Sequence, residues 1–210
     1  MKAMGVQLIE WLDSRHGVHQ PTVVCLGYFD GVHLGHQEII RRAGKHTLDG
    51  QRLLCVHTYD RAPGSIIRPG AETAELTPLD EKAALLKHFG AQLVAVSRFD
   101  DAMMHMSGGD FVYQVLISKL AAEHIVAGYD HRFGYHADTD ADKLKAICRR
   151  YGLGLTIVPQ VTIADGRAIS STAIRQALTA GDIALAEEML GRPCSLAMLR
   201  MAGKKKRVSC

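Results

Sequence analysis

Two rhythms of apolar residues run through this chain. In the first, short blocks rich in β-branched residues recur at Thr22–Leu26, Arg52–Tyr59, Gln92–Val96, His124–Gly128 and Leu155–Pro159. Blocks of that length and composition predict strands buried on both faces of a parallel sheet. In the second, apolar positions return every three or four residues among charged ones, which predicts helices over roughly 36–48, 110–120 and 140–151. Another helix is expected to open at Thr77, with Thr77 as its cap, Pro78 in the first helical position and Asp80 and Glu81 in the first turn; Gly90 closes it. Residues 6–16, with Val6, Leu8, Ile9, Trp11 and Leu12, predict a short amphipathic helix leading in. Strand and helix alternating in this way imply an α/β chain with a doubly wound, five-stranded parallel sheet. The ligand cleft of such a sheet lies at the carboxyl ends of its strands where the strand order reverses, here over the first and fourth. Two long polar loops, 60–75 and 129–139, leave strand ends on that edge. The methionines of Met103-Met104-His105-Met106 are expected to fill core.

Composition narrows the class. A chain of 210 residues suits one domain with a substantial core, expected over 1–193 with 1–20 as helical lead-in. Residues 194–210, ending in Lys204-Lys205-Lys206-Arg207, are expected to be a basic, unstructured tail. No apolar run approaches the ~20 residues of a membrane span, and the N-terminus has no secretory pattern. Five cysteines without paired spacing fit reduced thiols and a cytoplasmic protein. A net charge of +3 gives no argument for nucleic acid. Small-molecule substrates are therefore the expected partners.

The chemistry concentrates between the first strand and the first helix, in Gly27-Tyr28-Phe29-Asp30-Gly31-Val32-His33-Leu34-Gly35-His36. Three glycines permit a sharp turn and close approach of a ligand to the backbone. The helix that follows offers free N–H groups and the positive end of its dipole to an anion. His33 and His36 can add imidazole N–H donors where negative charge builds on a phosphate. A bare His-x-x-His would equally suit a zinc pair or solvent-facing rings, but zinc needs further ligands. The glycines and the strand-to-helix setting favour phosphate. A second helix start, Ile169-Ser170-Ser171-Thr172-Ala173-Ile174-Arg175, follows the Asp165-Gly166 turn. Ser170 or Ser171 can serve simply as a helix cap. Hydroxyls, helix N–H groups and the Arg175 guanidinium can also clamp a pyrophosphate, since arginine matches phosphate oxygens in a bidentate manner.

The run Gly27 to Gln37 resembles the Gly-x-Phe-Asp-Gly-Val-His-x-Gly-His-Gln signature of the bacterial FAD synthetase (FMN adenylyltransferase) module, within the nucleotidylyltransferase superfamily. Ser170 to Arg175 is similar to that family's Ser-Ser-Thr-x-Ile-Arg motif, and Gly128 to Gly134 looks like its Gly-x-Asp-Phe-x-Phe-Gly segment. With Gly181-Asp182 through Arg192-Pro193, the resemblance spans about residues 20–193. It implies a Rossmann-like nucleotidylyltransferase fold and transfer of AMP from ATP to FMN, forming FAD and pyrophosphate with Mg²⁺. It implies His33, His36 and Arg175 as catalytic. It implies nucleotide contacts from Gly27, Tyr28, Phe29, Asp30, Gly31, His33, His36, Ser170, Ser171, Thr172 and Arg175. Flavin contacts are implied for Thr58, Tyr59, Asp60, Asp130 and Phe133, with Asp130 also near Mg²⁺. Asp140 stands where the family often has an aspartate.

The chain departs from the family at Thr58-Tyr59-Asp60-Arg61-Ala62-Pro63, which lacks the usual Pro-His pair. It departs again at His131, where Phe is usual, and at Tyr135-His136-Ala137, where the family is basic. These lie on the flavin side, so another phosphomonoester acceptor, or a flavin- or nucleotide-binding module without turnover, stays open. The family's module is usually fused to a riboflavin kinase, and kinase activity is not expected of these residues.

Overall fold

All five apolar blocks form parallel strands in a computed structural model, which describes residues 10–11, 17–64 and 74–203. They are β2 (Thr22–Leu26), β3 (Leu53–Tyr59), β4 (Leu93–Ser97), β5 (Ala122–Gly128) and β6 (Gly154–Val158). A sixth strand of two residues, β1 (Glu10–Trp11), pairs parallel with β4 at one edge, where the 6–16 pattern predicts helix. The rest of that lead-in lies outside the described residues. Trp11 pairs with Val96 in this edge position, so its register is set by the neighbouring strand, which no local periodicity encodes.

The sheet order is β1-β4-β3-β2-β5-β6. The chain runs outward from β2 through β3 to β4, then returns to the other side of β2 for β5. The loops after β2 and β5 therefore part company, and a crevice opens between them at the carboxyl edge.

Alternate residues of each strand feed two cores. Val23, Cys25, Val56, Val94 and Val96 meet α1 (Leu34–Gly44) and α2 (Leu79–His88) on one face, through Ile39, Ile40, Ala83 and Leu86. On the other face, Val24, Leu26, Cys55, Ile125 and Ala127 meet Phe111, Val112, Val115, Leu116, Leu144 and Cys148. Those last residues come from a π-helical segment, Phe111–Ile117, and from α5 (Ala141–Tyr151). Two short helices, α3 (Asp101–His105) and α4 (Gly108–Asp110), precede the π-helical segment. Asp140 caps α5 by accepting from Lys143 N at 3.0 Å.

A third core joins α6 (Ser171–Ala180), α7 (Ile183–Leu190) and α8 (Leu196–Gly203) around Ile174, Leu178, Met189, Leu190 and Met198. Helix α8 stands where residues 196–203 are expected to be part of an unstructured tail over 194–210. Met198 is fully buried and Met201 packs beside it, an apolar spacing that the neighbouring lysines obscure. Residues 204–210 lie outside the described residues. No helix among those described is long and apolar enough to cross a membrane.

Candidate functional site

The turn after β2 is held from every side. Tyr28 O accepts from Thr58 Oγ1 at 2.9 Å and from Lys82 Nζ at 3.2 Å. Phe29 O accepts from Val32 N, Asp30 O from Ser171 Oγ, Gly31 O from Arg192 Nη2 and Val32 O from Gln37 Nε2, all within 3.2 Å. The donors come from β3, α2, α6 and the segment after α7 as well as from the turn and α1. Such anchoring holds Phe29 at φ 57° and Val32 at φ 40°, strained for residues with a Cβ, on either side of Gly31 at φ 83°, which glycine adopts freely. Phe29 and Val32 are fully buried, so core packing helps stabilise the strain.

Asp30 ties the turn to the rest. Its carboxylate accepts from Leu76 N at 2.9 Å, from Thr77 N at 3.1 Å and from the Arg175 guanidinium. Thr77 does not cap α2 with its side chain: its hydroxyl accepts from Gly31 N at 3.0 Å, and Pro78 occupies the cap position. Arg175 Nε donates to Ala74 O at 2.9 Å, so the guanidinium faces Asp30 and the 74–77 segment and not the crevice.

Within the crevice, the rings of His33 and His36 stack with centroids 3.6 Å apart. His33 caps α1, its Nδ1 accepting from His36 N at 3.4 Å, which leaves Nε2 as the proton-bearing donor. Burial, reinforced by the Arg192 charge, lowers the pKa of His33 to about 4. Burial, with His33, Lys82 and His131 nearby, pushes His36 well below the ordinary imidazole value. With no anion bound, both rings are therefore neutral at pH 7, each with one N–H to offer. Nδ1 of His36 is buried with no hydrogen-bond partner among the described residues.

These rings line a cleft of about 480 Å³ with Gly27, Tyr28, Asp130, His131 and the N-terminus of α6. Ser170 caps α6, accepting from Ala173 N at 3.1 Å, and Ser171 and Thr172 stand on the cleft wall. An anion in this cleft meets imidazole N–H groups on one side and a helix N-terminus on the other. Among the described residues no three His, Cys, Asp or Glu side chains gather as a metal cage, and Asp130 is the one carboxylate lining the cleft. Asp130 is thus the side chain on the cleft wall that could hold a cation.

A second cavity of about 860 Å³ adjoins the first, sharing Tyr28 and His131 with it. Its walls are largely aromatic and thioether, with Tyr59, Phe99, Phe111, Phe133, Met103 and Met106, and carry Arg132, His105 and His136 as polar side chains. The methionines predicted as core filling thus line a cavity. Met103 and Met106 do both, resting on the core below and facing the cavity above.

The predicted site residues therefore divide. Gly27, Tyr28, His33, His36, Ser170, Ser171, Thr172 and Asp130 converge on the cleft, and Tyr59 and Phe133 on the cavity. Phe29, Asp30, Gly31 and Arg175 build the turn from behind. Thr58 is fully buried beneath Tyr28, and Asp60 accepts from Phe99 N at 2.8 Å, so neither lines the cavity. Asp130 belongs to the cleft and not to the cavity. Sequence reasoning did not single out Lys82 or Arg192. Lys82 lies 3.9 Å from the Tyr28 ring centroid, and burial lowers its pKa to about 8. Charged residues ordinarily face solvent, so neither position carried a signal of this role.

The sequence pattern of the FAD synthetase family matches residues 16–173. The chain is 32% identical over 200 residues to the bifunctional riboflavin kinase/FMN adenylyltransferase of Pseudomonas fluorescens, covering 95% of this chain and 64% of that protein. It is 35% identical over 190 residues to the protein of the same description from Listeria monocytogenes, covering 88% and 56%. It thus spans less than two thirds of the length of these relatives. A crystal structure described as a macrolide-efflux protein from Streptococcus pneumoniae superposes with a TM-score of 0.80 at 30% identity, over 90% of this chain and 61% of that one. With the signature turn, the crevice at the strand-order reversal and three quarters of its length inside the family pattern, the chain belongs to the FAD synthetase family.

Proposed function

We propose that the protein transfers AMP from ATP to FMN, forming FAD and pyrophosphate. The observation that carries this reading is the junction of an anion cleft with an aromatic cavity large enough for a tricyclic ring, the two sharing Tyr28 and His131. The triphosphate of ATP lies between the His33–His36 stack and the α6 N-terminus. The flavin lies among Tyr59, Phe111, Phe133 and the methionines. A phosphate oxygen of FMN then attacks the α-phosphorus in line. The bond to the bridging oxygen breaks, and pyrophosphate leaves with the electron pair.

His33 Nε2–H and the His36 ring donate to the phosphate oxygens as charge shifts onto them, and the N–H groups of Ser171 and Thr172 receive the departing end. Because the FMN phosphate is already anionic, no general base is needed; rate comes from positioning and from donors fixed in place beforehand. Arg175 acts through Asp30, holding the turn that carries His33. Asp130 would hold Mg²⁺ against the phosphates, where the ion supplies positive charge to the leaving group. Free thiols at Cys25, Cys148 and Cys194 suit a reaction run in the cytoplasm.

The test is to mix the purified protein with ATP, Mg²⁺ and FMN, then measure pyrophosphate release and identify the flavin product by chromatography. Formation of FAD is expected. Pyrophosphate release only with another phosphomonoester would move the acceptor, and flavin binding without release would make the protein a binding module.

A further inference from the structure

We propose that His131 is a third phosphate-binding imidazole, contacting the phosphate of the flavin acceptor where it passes from the aromatic cavity into the cleft. The proposal rests on the reading of the two cavities as nucleotide and flavin sites, and it names the group that recognises the acceptor's phosphate.

His131 lines both cavities, and the one other residue that does so among those described is Tyr28. A substituent joining a ligand in one cavity to a ligand in the other passes these two side chains. Tyr28 is committed elsewhere: its hydroxyl donates to Glu75, and its ring lies against the Lys82 ammonium. The His131 ring stacks on Phe133 with centroids 5.5 Å apart and planes 26° apart. No hydrogen bond to the protein engages its nitrogens among the described residues.

The loop fixes this ring in place. His131 N donates to Gly128 O at 3.1 Å, closing a turn directly after β5. Two residues on, Phe133 and Thr139 exchange backbone hydrogen bonds of 3.1 and 3.0 Å. The side chain therefore stands between two anchored points, and binding a phosphate there requires little ordering.

Chemistry and surroundings agree. His131 is close enough to His36 in the cleft and to the buried His57 to lower the basicity of both. Its own pKa is lowered to about 4 by burial, opposed by Asp130. The neutral ring presents one N–H donor, and a phosphate dianion beside it draws the ring toward the charged form. The Phe usual at this position in the family offers a stacking face and no donor. The substitution keeps the aromatic surface and adds a hydrogen bond to an anion. The loop at 135–137, basic in the family and here Tyr135-His136-Ala137, supplies no lysine or arginine for the same purpose.

Flavin fluorescence titrations of the full chain with FMN and with riboflavin test this, because the two ligands differ only in the phosphate. The wild-type protein is expected to prefer FMN. His131→Phe is expected to lower FMN affinity about tenfold or more, the range for losing a hydrogen bond to a charged group, while riboflavin affinity stays within about twofold. His131→Asn, which keeps an N–H donor, is expected to retain part of the preference. Retained riboflavin binding shows that a variant is folded. An unchanged FMN-to-riboflavin ratio in His131→Phe overturns the proposal. So does an equal loss of both ligands in variants whose thermal midpoints match wild type, which would mean that the ring only shapes the pocket. If wild-type protein binds neither flavin, the flavin reading of the cavity fails, and this proposal fails with it.

Discussion

On the proposed mechanism the two nitrogens of the His33 ring have separate tasks. Nδ1 caps α1, and Nε2 remains to donate into the cleft. The tasks separate by substitution. His33→Asn keeps a side-chain acceptor at a position where asparagine is among the best caps, but it is too short to place a donor where Nε2 lies. Its thermal midpoint should stay within a few degrees of wild type, while turnover falls by ~10²–10³, the usual effect of losing one transition-state donor. His36→Ala should lower turnover similarly, with little change in the KM for ATP. Near-normal rates in both variants would remove the pair from the mechanism. The neighbouring motif residues show what a linear pattern conceals. Asp30 and His33 stand three apart in one signature, yet one is a buried hub and the other a donor. The partners that decide this for Asp30, Leu76, Thr77 and Arg175, lie 46 to 145 residues away.

The helix starts were the most legible elements, because caps, glycines and first-turn residues act locally. Ser170 and Asp140 cap as local chemistry requires. Thr77 does not, since the Gly31 amide and Asp30 compete for its hydroxyl and both belong to a distant turn. The two-residue β1 and helix α8 escaped for the opposite reason: what holds them is packing and pairing with other segments, not their own periodicity. Gly35 at the start of α1 offers a test at this scale. A Cβ there would stand 3.2 Å from Cε1 and Nδ1 of His33, whose ring is already stacked on His36. Alanine is the better helix former by up to ~1 kcal/mol, so Gly35→Ala should leave the fold as stable as before or slightly more so. It should nevertheless lower turnover at least tenfold, because the ring must move by a few tenths of an ångström and positioning is the main source of rate. Unaltered kcat alongside raised stability would show that the pair tolerates displacement.

At the scale of the whole molecule, the imidazoles that the site and sheet bury make the fold sensitive to acid. Burial lowers the pKa of His33, His124 and His131 to about 4 and of His57 to about 3, and depresses His36 as well. In the unfolded chain all five titrate near 6.5. Between that value and about 4 the unfolded state binds more protons than the native state, so stability falls as pH falls. Each unit of depression is worth ~1.4 kcal/mol for a fully buried group, and less for His124 and His131, which are partly exposed. Several such groups together rival the ~5–15 kcal/mol by which a domain of this kind is stable. Carboxylates account for a separate, more acidic window. Glu38, lowered to about 2 chiefly by its hydrogen bond to Arg41, keeps its contribution until pH drops below the ordinary value near 4.5. Loss of stability between pH 6.5 and 4.5 is therefore assignable to histidine. The thermal midpoint should be level above pH 7 and should fall steadily from pH 6.5 to 4.5, with unfolding at pH 5.5 taking up several protons by calorimetry in buffers of different ionisation enthalpy. A midpoint unchanged between pH 7 and 5 would mean that these rings titrate near 6.5 in the native state as they do unfolded, so that His33 and His36 would gain charge in mildly acid solution instead of staying neutral donors.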